Sequence, residues 1–236
     1  MDLKEVGLLN AESHWYFLSK FDIIQSEVNR WIHKDLRILD YGAGDGFFSK
    51  ELLKKRFGTA NCVDINYTKS KKEESIVFST KIKMTDPNLI LLIDVLEHVP
   101  DPKHELHEIL DKIKSECTLV ITVPAFQSLW SIHDEFLGHY GRYKLEQVDK
   151  WLDGINGRVK ILKRQYLYSV IFPLVFFYRL FRRKSKSDLR DVPAFLNKTL
   201  FKVSKFDNRY IRNRYFGLSS LLVISFVPNA SASSSI

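Results

Sequence analysis

Ile38-Leu39-Asp40-Tyr41-Gly42-Ala43-Gly44-Asp45-Gly46-Phe47-Phe48 is the stretch that decides the fold. An apolar run ends at Asp40, glycines alternate at 42, 44 and 46, and an apolar helical face resumes with Phe47 and Phe48. This layout predicts a strand, a tight loop and a helix, with backbone free to approach a ligand at the carboxyl edge of a sheet. A nicotinamide fingerprint would read G-x-G-x-x-G. Here Phe47 stands where its third glycine belongs, and that glycine comes one residue early. A glycine loop alone is also compatible with a tight turn that binds nothing, so its surroundings carry the argument.

Upstream, Trp15, Leu18, Phe21, Ile24 and Val28 recur at helical spacing and predict a helix over 10–33. Downstream, the pattern predicts strands at 36–40, 59–64, 76–82, 88–94 and 118–124, with helices at 47–56 and 104–114 between them. Asn88 to Asp94 holds almost no polar residue inside it, as a strand covered on both faces requires. Alternation of this kind is the mark of an α/β doubly wound sheet. Residues 126–143 read as a long loop with short helices, 145–152 as a helix, and 158–167 and 219–227 as strands.

Two acidic residues follow the glycine loop at suggestive places. Asp64 ends the second strand, and a carboxylate there can accept both ribose hydroxyls of a nucleoside. Asp94 ends the next buried strand and opens the run Asp94-Val95-Leu96-Glu97-His98-Val99-Pro100-Asp101-Pro102. Acidic-x-G-x-G-x-G followed by these two carboxylates resembles the class I S-adenosylmethionine (SAM) methyltransferases. The D-V-L-E-H-V-P-D-P run resembles in particular the quinone-biosynthesis O-methyltransferases within type 11/12-like members of that class. Around this centre, His14-Trp15-Tyr16, Val123-Pro124-Ala125, Leu129 to Glu135, Gly138 to Tyr143 and Phe216-Gly217-Leu218-Ser219 are similar to a bacterial subgroup associated with polysaccharides and glycolipids.

The resemblance implies a seven-stranded mixed sheet in the order 3-2-1-4-5-7-6, strand 7 antiparallel, with helices on both faces. It also implies an N-terminal helical cap at 1–34 and a catalytic domain at 35–228 with an apolar and basic insertion at 168–216, while the low-complexity composition of Ala230 to Ile236 predicts a disordered tail at 229–236. SAM is the implied cofactor, held by Asp40, Gly42, Ala43, Gly44, Gly46, Phe47, Asp64, Ile65, Asp94 and Val95. Lys20 stands where the subgroup tends to carry arginine and is a candidate for the SAM carboxylate. The chain departs from the family pattern in offering no clear acidic residue for the adenine amino group after the third strand.

Methyl transfer from a sulfonium needs positioning above all, and a base only when the acceptor is a hydroxyl or a protonated amine. His98 and His133 are the candidate bases, because imidazole titrates near neutrality. A bracing role for His98 in the following turn is the plainer alternative. His133, Asp134 and His139 could form a metal cluster, but neither H-E-x-x-H nor cysteine ligands accompany them, so no metal is assigned. Trp15, Tyr16, Trp130 and Tyr143 could wall an acceptor pocket, or simply be core.

Charge narrows the partners. The 236 residues carry a net charge of +8, yet 179–214 alone hold 12 basic and 3 acidic residues, leaving 24 and 25 elsewhere. Just before them, Tyr166 to Tyr178 is an aromatic and aliphatic run containing Pro173. Apolar length flanked by cations suits an interfacial segment on an anionic membrane, while packing against the domain or a second protein is the alternative. No nucleic-acid motif accompanies the charge, which makes nucleic acid the weaker partner. The N-terminus lacks a signal-peptide layout, and no run reaches the 18 or so apolar residues a membrane span needs. Cys62 and Cys117 lie in apolar runs, away from ligand-like spacing, which fits a reducing compartment.

The sequence therefore predicts a SAM-dependent methyltransferase, cytoplasmic or peripheral on the inner membrane face, acting on a small-molecule or lipid-linked acceptor. O-methylation of a lipid-linked saccharide, a glycolipid or a prenylated small molecule is the expected reaction. The alternatives are a scaffold of the same fold that has lost turnover, and a nucleic-acid methyltransferase using the basic segment.

Overall fold

A computed structural model describes residues 11–181 and 193–229, with side chains to 177 in the first range. A mixed sheet of eight strands runs through it, with helices on both faces. The strands are β1 (Leu36–Tyr41), β2 (Gly58–Val63), β3 (Lys71–Glu73), β4 (Ile76–Ser79), β5 (Leu89–Ile93), β6 (Cys117–Pro124), β7 (Gly157–Leu167) and β8 (Ser219–Pro228). The helices are α1 (Trp15–Trp31), α2 (Phe47–Leu53), α3 (Pro102–Leu110), α4 (Ile132–Leu137), α5 (Leu145–Lys150), α6 (Phe172–Phe181) and α7 (Ala194–Phe206).

The strand order is β3-β4-β2-β1-β5-β6-β8-β7, with β8 antiparallel to both neighbours. The α/β class and the antiparallel last strand hold, but the predicted seven-strand order needs correction at one edge. Lys71–Glu73 folds back onto Ile76–Ser79 as a hairpin, pairing Lys72 with Val77. Without β3, the remaining strands follow 3-2-1-4-5-7-6. Three charged residues offer no apolar alternation to read, and charged side chains are what an exposed edge tolerates.

Burial in β5 and β6 explains why the sheet is covered twice. Leu89, Leu91 and Ile93 point into a core with α1 and α2, where Phe17, Phe21, Ile24, Val28, Phe48 and Leu52 meet them. Ile90 and Leu92 point the other way, into Leu106, Ile109 and Leu110 of α3 and Val148 of α5. A central strand must be apolar on both faces for this to work, and β5 is buried at all five positions.

Parallel pairing of β2, β1, β5 and β6 brings Asp64, Gly42, Asp94 and Ala125 to one edge. Leu167 pairs with Ser219, and Ser219 with Pro124, so the segment between β7 and β8 leaves and returns at that same edge. Within it, α7 packs on α1. Asn197 accepts from the Trp15 N–H at 2.9 Å and donates to the Ser13 carbonyl at 2.7 Å. Arg209 pairs with Asp22 at 2.6 Å, and Lys205 with the same carboxylate at 2.8 Å. Arg182, Arg183, Lys184 and the tail from residue 230 lie outside the described residues.

Candidate active site

The glycine loop is built by three left-handed residues, Gly42, Gly44 and Gly46, at φ 73°, 55° and 75°. At Gly42 the constraint is double. Any Cβ there would sit 2.2 Å from Cγ2 of Val95, so loop and β5 tip touch backbone to side chain. The N–H groups of Gly42 and Ala43 both donate to the Val63 carbonyl, at 2.8 and 3.1 Å. Gly44 N–H donates instead to Oδ2 of Asp64 at 3.0 Å, and the Asn66 N–H to its Oδ1 at 2.9 Å. Tyr67, unremarked in the sequence, closes the same corner by donating its hydroxyl to the Gly44 carbonyl at 2.6 Å. Beside Asp64, Ile65 is 84% exposed, an apolar face with no core to fill.

Asp40 stands apart from this edge. It is buried beneath the loop and accepts from the Ser49 hydroxyl at 2.7 Å. Burial pushes its carboxyl up to about 6, although the Ser49 hydrogen bond works in the opposite direction. Phe47 is likewise buried, packed edge-on against Phe17, Phe21 and Phe48. Both brace the loop from below.

Asp94 gathers three elements. It adopts φ 50°, a strained backbone for a non-glycine residue. Thr122 of β6 donates to its Oδ1 at 2.8 Å, while Tyr16 of α1 donates to its Oδ2 at 3.2 Å. Lys20, fully buried on the core face of α1, bonds the same Oδ2 and also donates to the Tyr16 hydroxyl at 2.6 Å. Burial works against the Asp94 charge, but the Lys20 ammonium and these donors hold the carboxyl below the usual carboxylate range. Lys20 thus faces Asp94. Tyr168, which the sequence did not single out, stacks on Tyr16 at 5.3 Å and joins the segment between β7 and β8 to this cluster.

Beyond Asp94 a short 3-10 turn, Leu96–His98, presents Glu97 and His98. Glu97 is 1% exposed, and among the described residues no hydrogen-bond partner reaches its Oε2. Burial first, then the charge of Asp94, raise its carboxyl well above the ordinary range. The His98 ring lies edge-on to His139 at 4.6 Å. His139 is itself oriented: its Nδ1 lies 2.9 Å from Oδ1 of Asp134. Arg142 donates to both oxygens of Asp134, at 2.8 and 3.0 Å. Burial opposes that carboxylate's charge, yet His139 and Arg142 hold it far below its usual range.

His133 lies buried in the first turn of α4. The imidazole that meets His98 is His139. Asp134 serves Arg142 and His139, so the cluster that comes together is Glu97, His98 and His139, whose ligand atoms lie within 4.8 Å of one another. Tyr143 packs edge-on against Trp151 and belongs to the core.

The residues present suit a nucleoside with an attached amino acid: close backbone at 42–46, a carboxylate at Asp64, an exposed apolar face at Ile65. A profile of the methyltransferase domain matches residues 14–169. The chain belongs to the methyltransferase-domain family. It is an enzyme of the SAM-dependent class, and SAM is its cofactor. No curated protein matches the methyltransferase by sequence. Among solved structures it is similar to a chain of the complex between the Haloferax volcanii Trm112 methyltransferase activator and its methyltransferase. That likeness has 14% identity and a TM-score of 0.58, covering 96% of this chain and 94% of the other. It is also similar to the plantazolicin methyltransferase BpumL solved with S-adenosylhomocysteine (SAH), at 15% identity, TM-score 0.52, and 90% and 84% coverage. The cyclase SpnF matches at 12% identity, TM-score 0.52, and 89% and 81% coverage. At such identities the likeness speaks for the fold alone, and SpnF carries a different activity on it.

Proposed function

We propose that this methyltransferase methylates a hydroxyl of a lipid-linked saccharide, a glycolipid or a prenylated small molecule, at the inner face of a membrane. The observation that carries the reading is the shared edge: the apolar and basic insertion leaves the sheet where Asp64, the glycine loop and Asp94 converge. It exposes Leu174 and Phe177 on α6, Phe195 on α7, and Tyr210 and Tyr215 beyond it. Lys198, Lys202, Arg212 and Arg214 accompany them. Aromatic side chains among cations suit the headgroup region of an anionic bilayer. Among the described residues no helix is long and apolar enough to cross a membrane.

Bound SAM supplies an electrophilic methyl group on a sulfonium. Asp64 would accept the ribose hydroxyls, Ile65 would lie beside the adenine, and the backbone of Gly42 to Gly46 would hold the amino-acid part. Lys20, Tyr16 and Thr122 fix Asp94 in its charged form at the β5 tip. His98 and His139, backed by Asp134, line the way to the acceptor, and an imidazole there can take the hydroxyl proton. The aromatic cap of Trp15, Tyr16 and Tyr168 keeps water from the reacting centre.

The test is transfer of radiolabelled methyl from SAM into fractionated lipid and glycan extracts, with and without anionic vesicles. Label in a lipid-extractable product, increased by the vesicles, is the expected result. No label in any fraction from a protein that binds SAM would overturn the acceptor assignment.

A further inference from the structure

A series of aromatic contacts joins the carboxyl edge of the sheet to the outer surface of α6. The Tyr166 ring near the end of β7 lies 5.0 Å from Phe126, and Phe126 lies 5.5 Å from Phe172 at the start of α6. Phe172 meets Phe216 at 5.5 Å and Phe176 at 5.9 Å, and Phe176 meets Phe177 at 5.7 Å. From this seam we propose that the apolar chain of a single-chain prenyl phosphate acceptor lies along these rings, with its phosphate beside Lys144. The inference rests on the lipid-linked reading above for the acceptor's part in methyl transfer, whereas binding of the chain does not.

Burial falls off along the seam. Tyr166 is buried, Phe126, Phe172 and Phe176 are half-buried, and Phe216 and Phe177 are 39% and 57% exposed. A closed core would cover such rings, whereas a groove for an apolar ligand leaves one side of them open. Two local features shape the inner end. Phe126 takes φ 60°, a strained backbone for an aromatic residue, and strain of this kind gathers at ligand clamps. Gly217 lets the loop that carries Phe216 lie against β7. A Cβ there would sit 2.4 Å from the Leu167 carbonyl oxygen and 2.7 Å from Cβ of Tyr166. The same end adjoins the catalytic cluster. Arg142, which clamps Asp134, donates to the Ala125 carbonyl at 3.4 Å, and its N–H donates to the Gln127 side chain at 3.0 Å, one on each side of Phe126.

Charge selects the occupant. Residues 165–181 and 212–219, which carry every ring of the seam but Phe126, contain neither Asp nor Glu. The Lys144 ammonium stands 5.7 Å from the centroid of Phe126, and Arg212 and Arg214 precede Phe216 in its loop. An apolar track with a cation at its inner end fits an apolar chain that ends in an anion. The phosphate that links chain and sugar in a lipid-linked saccharide is such an anion. The rings follow one another singly, which gives the width of one hydrocarbon chain rather than the two of a glycerolipid. Phe177 and the exposed Leu174 end the seam on the surface assigned above to the bilayer, so a chain would reach the site without crossing water.

The experiment titrates farnesyl monophosphate, below its aggregation threshold, into full-length protein in a calorimeter. Saturation at one equivalent is expected, with affinity falling at least about 10-fold in Phe126→Ala and in Phe176→Ala. Phe176→Leu should recover most of that loss. Lys144→Gln should weaken farnesyl phosphate and leave farnesol unchanged, while Phe195→Ser, away from the seam on α7, should alter neither. Circular dichroism and melting establish that the variants are folded. No saturable binding by folded wild type, or binding that both alanine variants leave unchanged, would overturn the proposal. Equal affinity for dihexanoyl phosphatidate would overturn the single-chain assignment. A dimer in sedimentation that Phe176→Ala dissociates would also overturn it, because a second copy would then cover the seam. Farnesyl phosphate binding without methyl transfer into any lipid fraction would sink the acceptor reading alone. Methyl transfer into lipid, with farnesyl phosphate binding unchanged in the alanine variants, would sink the seam alone.

Discussion

The N–H of Gly44 donates to Oδ2 of Asp64 across 3.0 Å, tying the tip of the glycine loop to the carboxylate at the end of the neighbouring strand. Asp64 accepts from Asn66 as well, so both of its oxygens are held in place by backbone N–H groups. Pre-organisation of this kind lowers the ordering that binding requires.

Gly42→Ala should damage both the loop and its ligand. The new Cβ would meet Val95 Cγ2 at 2.2 Å on a backbone at φ 73°. Strain of about 1–3 kcal/mol is expected in thermal melts. SAH affinity should fall, and Val95→Ala in the same chain should restore only part of the stability, because the backbone penalty remains.

Lys20→Met should be costly although no charge reaches the surface at Lys20. Removing the buried ammonium leaves Asp94 without its cation, at a cost of up to about 3 kcal/mol, moderated because Asp94 is partly exposed. The sign follows from the depressed Asp94 carboxyl. Its ion-pair contribution is present above the ordinary carboxylate range and is lost as pH falls through the lower, folded value. The difference in stability between wild type and variant should therefore shrink on acidification, and denaturant melts across pH check it.

Asp40 behaves in the opposite sense. Burial pushes its carboxyl up from 3.8 to about 6, so it favours the fold while protonated and opposes it when charged. Stability should decline as pH rises from about 4 to about 6, by roughly 3 kcal/mol from this group. Asp40→Asn keeps an acceptor for Ser49 and should remove that slope in the same measurement.

Asp134→Ala would orphan Arg142, which is 7% exposed. Loss of about 3–5 kcal/mol is expected from breaking a buried pair. Chemical denaturation measures it, and Asp134→Glu should recover part of the loss.

At the insertion, Phe195→Ser and Tyr215→Ser alter side chains that are 84% and 85% exposed, so stability should hardly change. Binding to anionic vesicles in sedimentation should weaken severalfold, and further with added salt. Unaltered vesicle binding would detach the insertion from the membrane.

The sheet was legible because burial on two faces forces unbroken apolar runs such as Leu89 to Ile93, and glycines mark where backbone turns at close quarters. β3 was not, since Lys71-Lys72-Glu73 is held by its partner strand and offers no pattern of its own. The carboxylates at the strand tips were legible from their positions after apolar runs. Directions of side chains were not: Lys20 reads as a candidate for the SAM carboxylate and Glu97 only as part of the run 94–102, yet both are buried, with Lys20 turned onto Asp94. Likewise His139 sits five residues from Asp134, and only the turn after α4 brings the two together. Tyr168 gave no signal, because its contact with Tyr16 spans most of the chain.

The central claim is that the loop and Asp64 hold SAM. Calorimetry with SAM and SAH, on wild type and Asp64→Ala with NADH as control, tests it most directly. Micromolar binding of both nucleosides, lost in the folded variant and absent for NADH, is the predicted result. No binding by folded wild type, or binding that Asp64→Ala leaves intact, would contradict it.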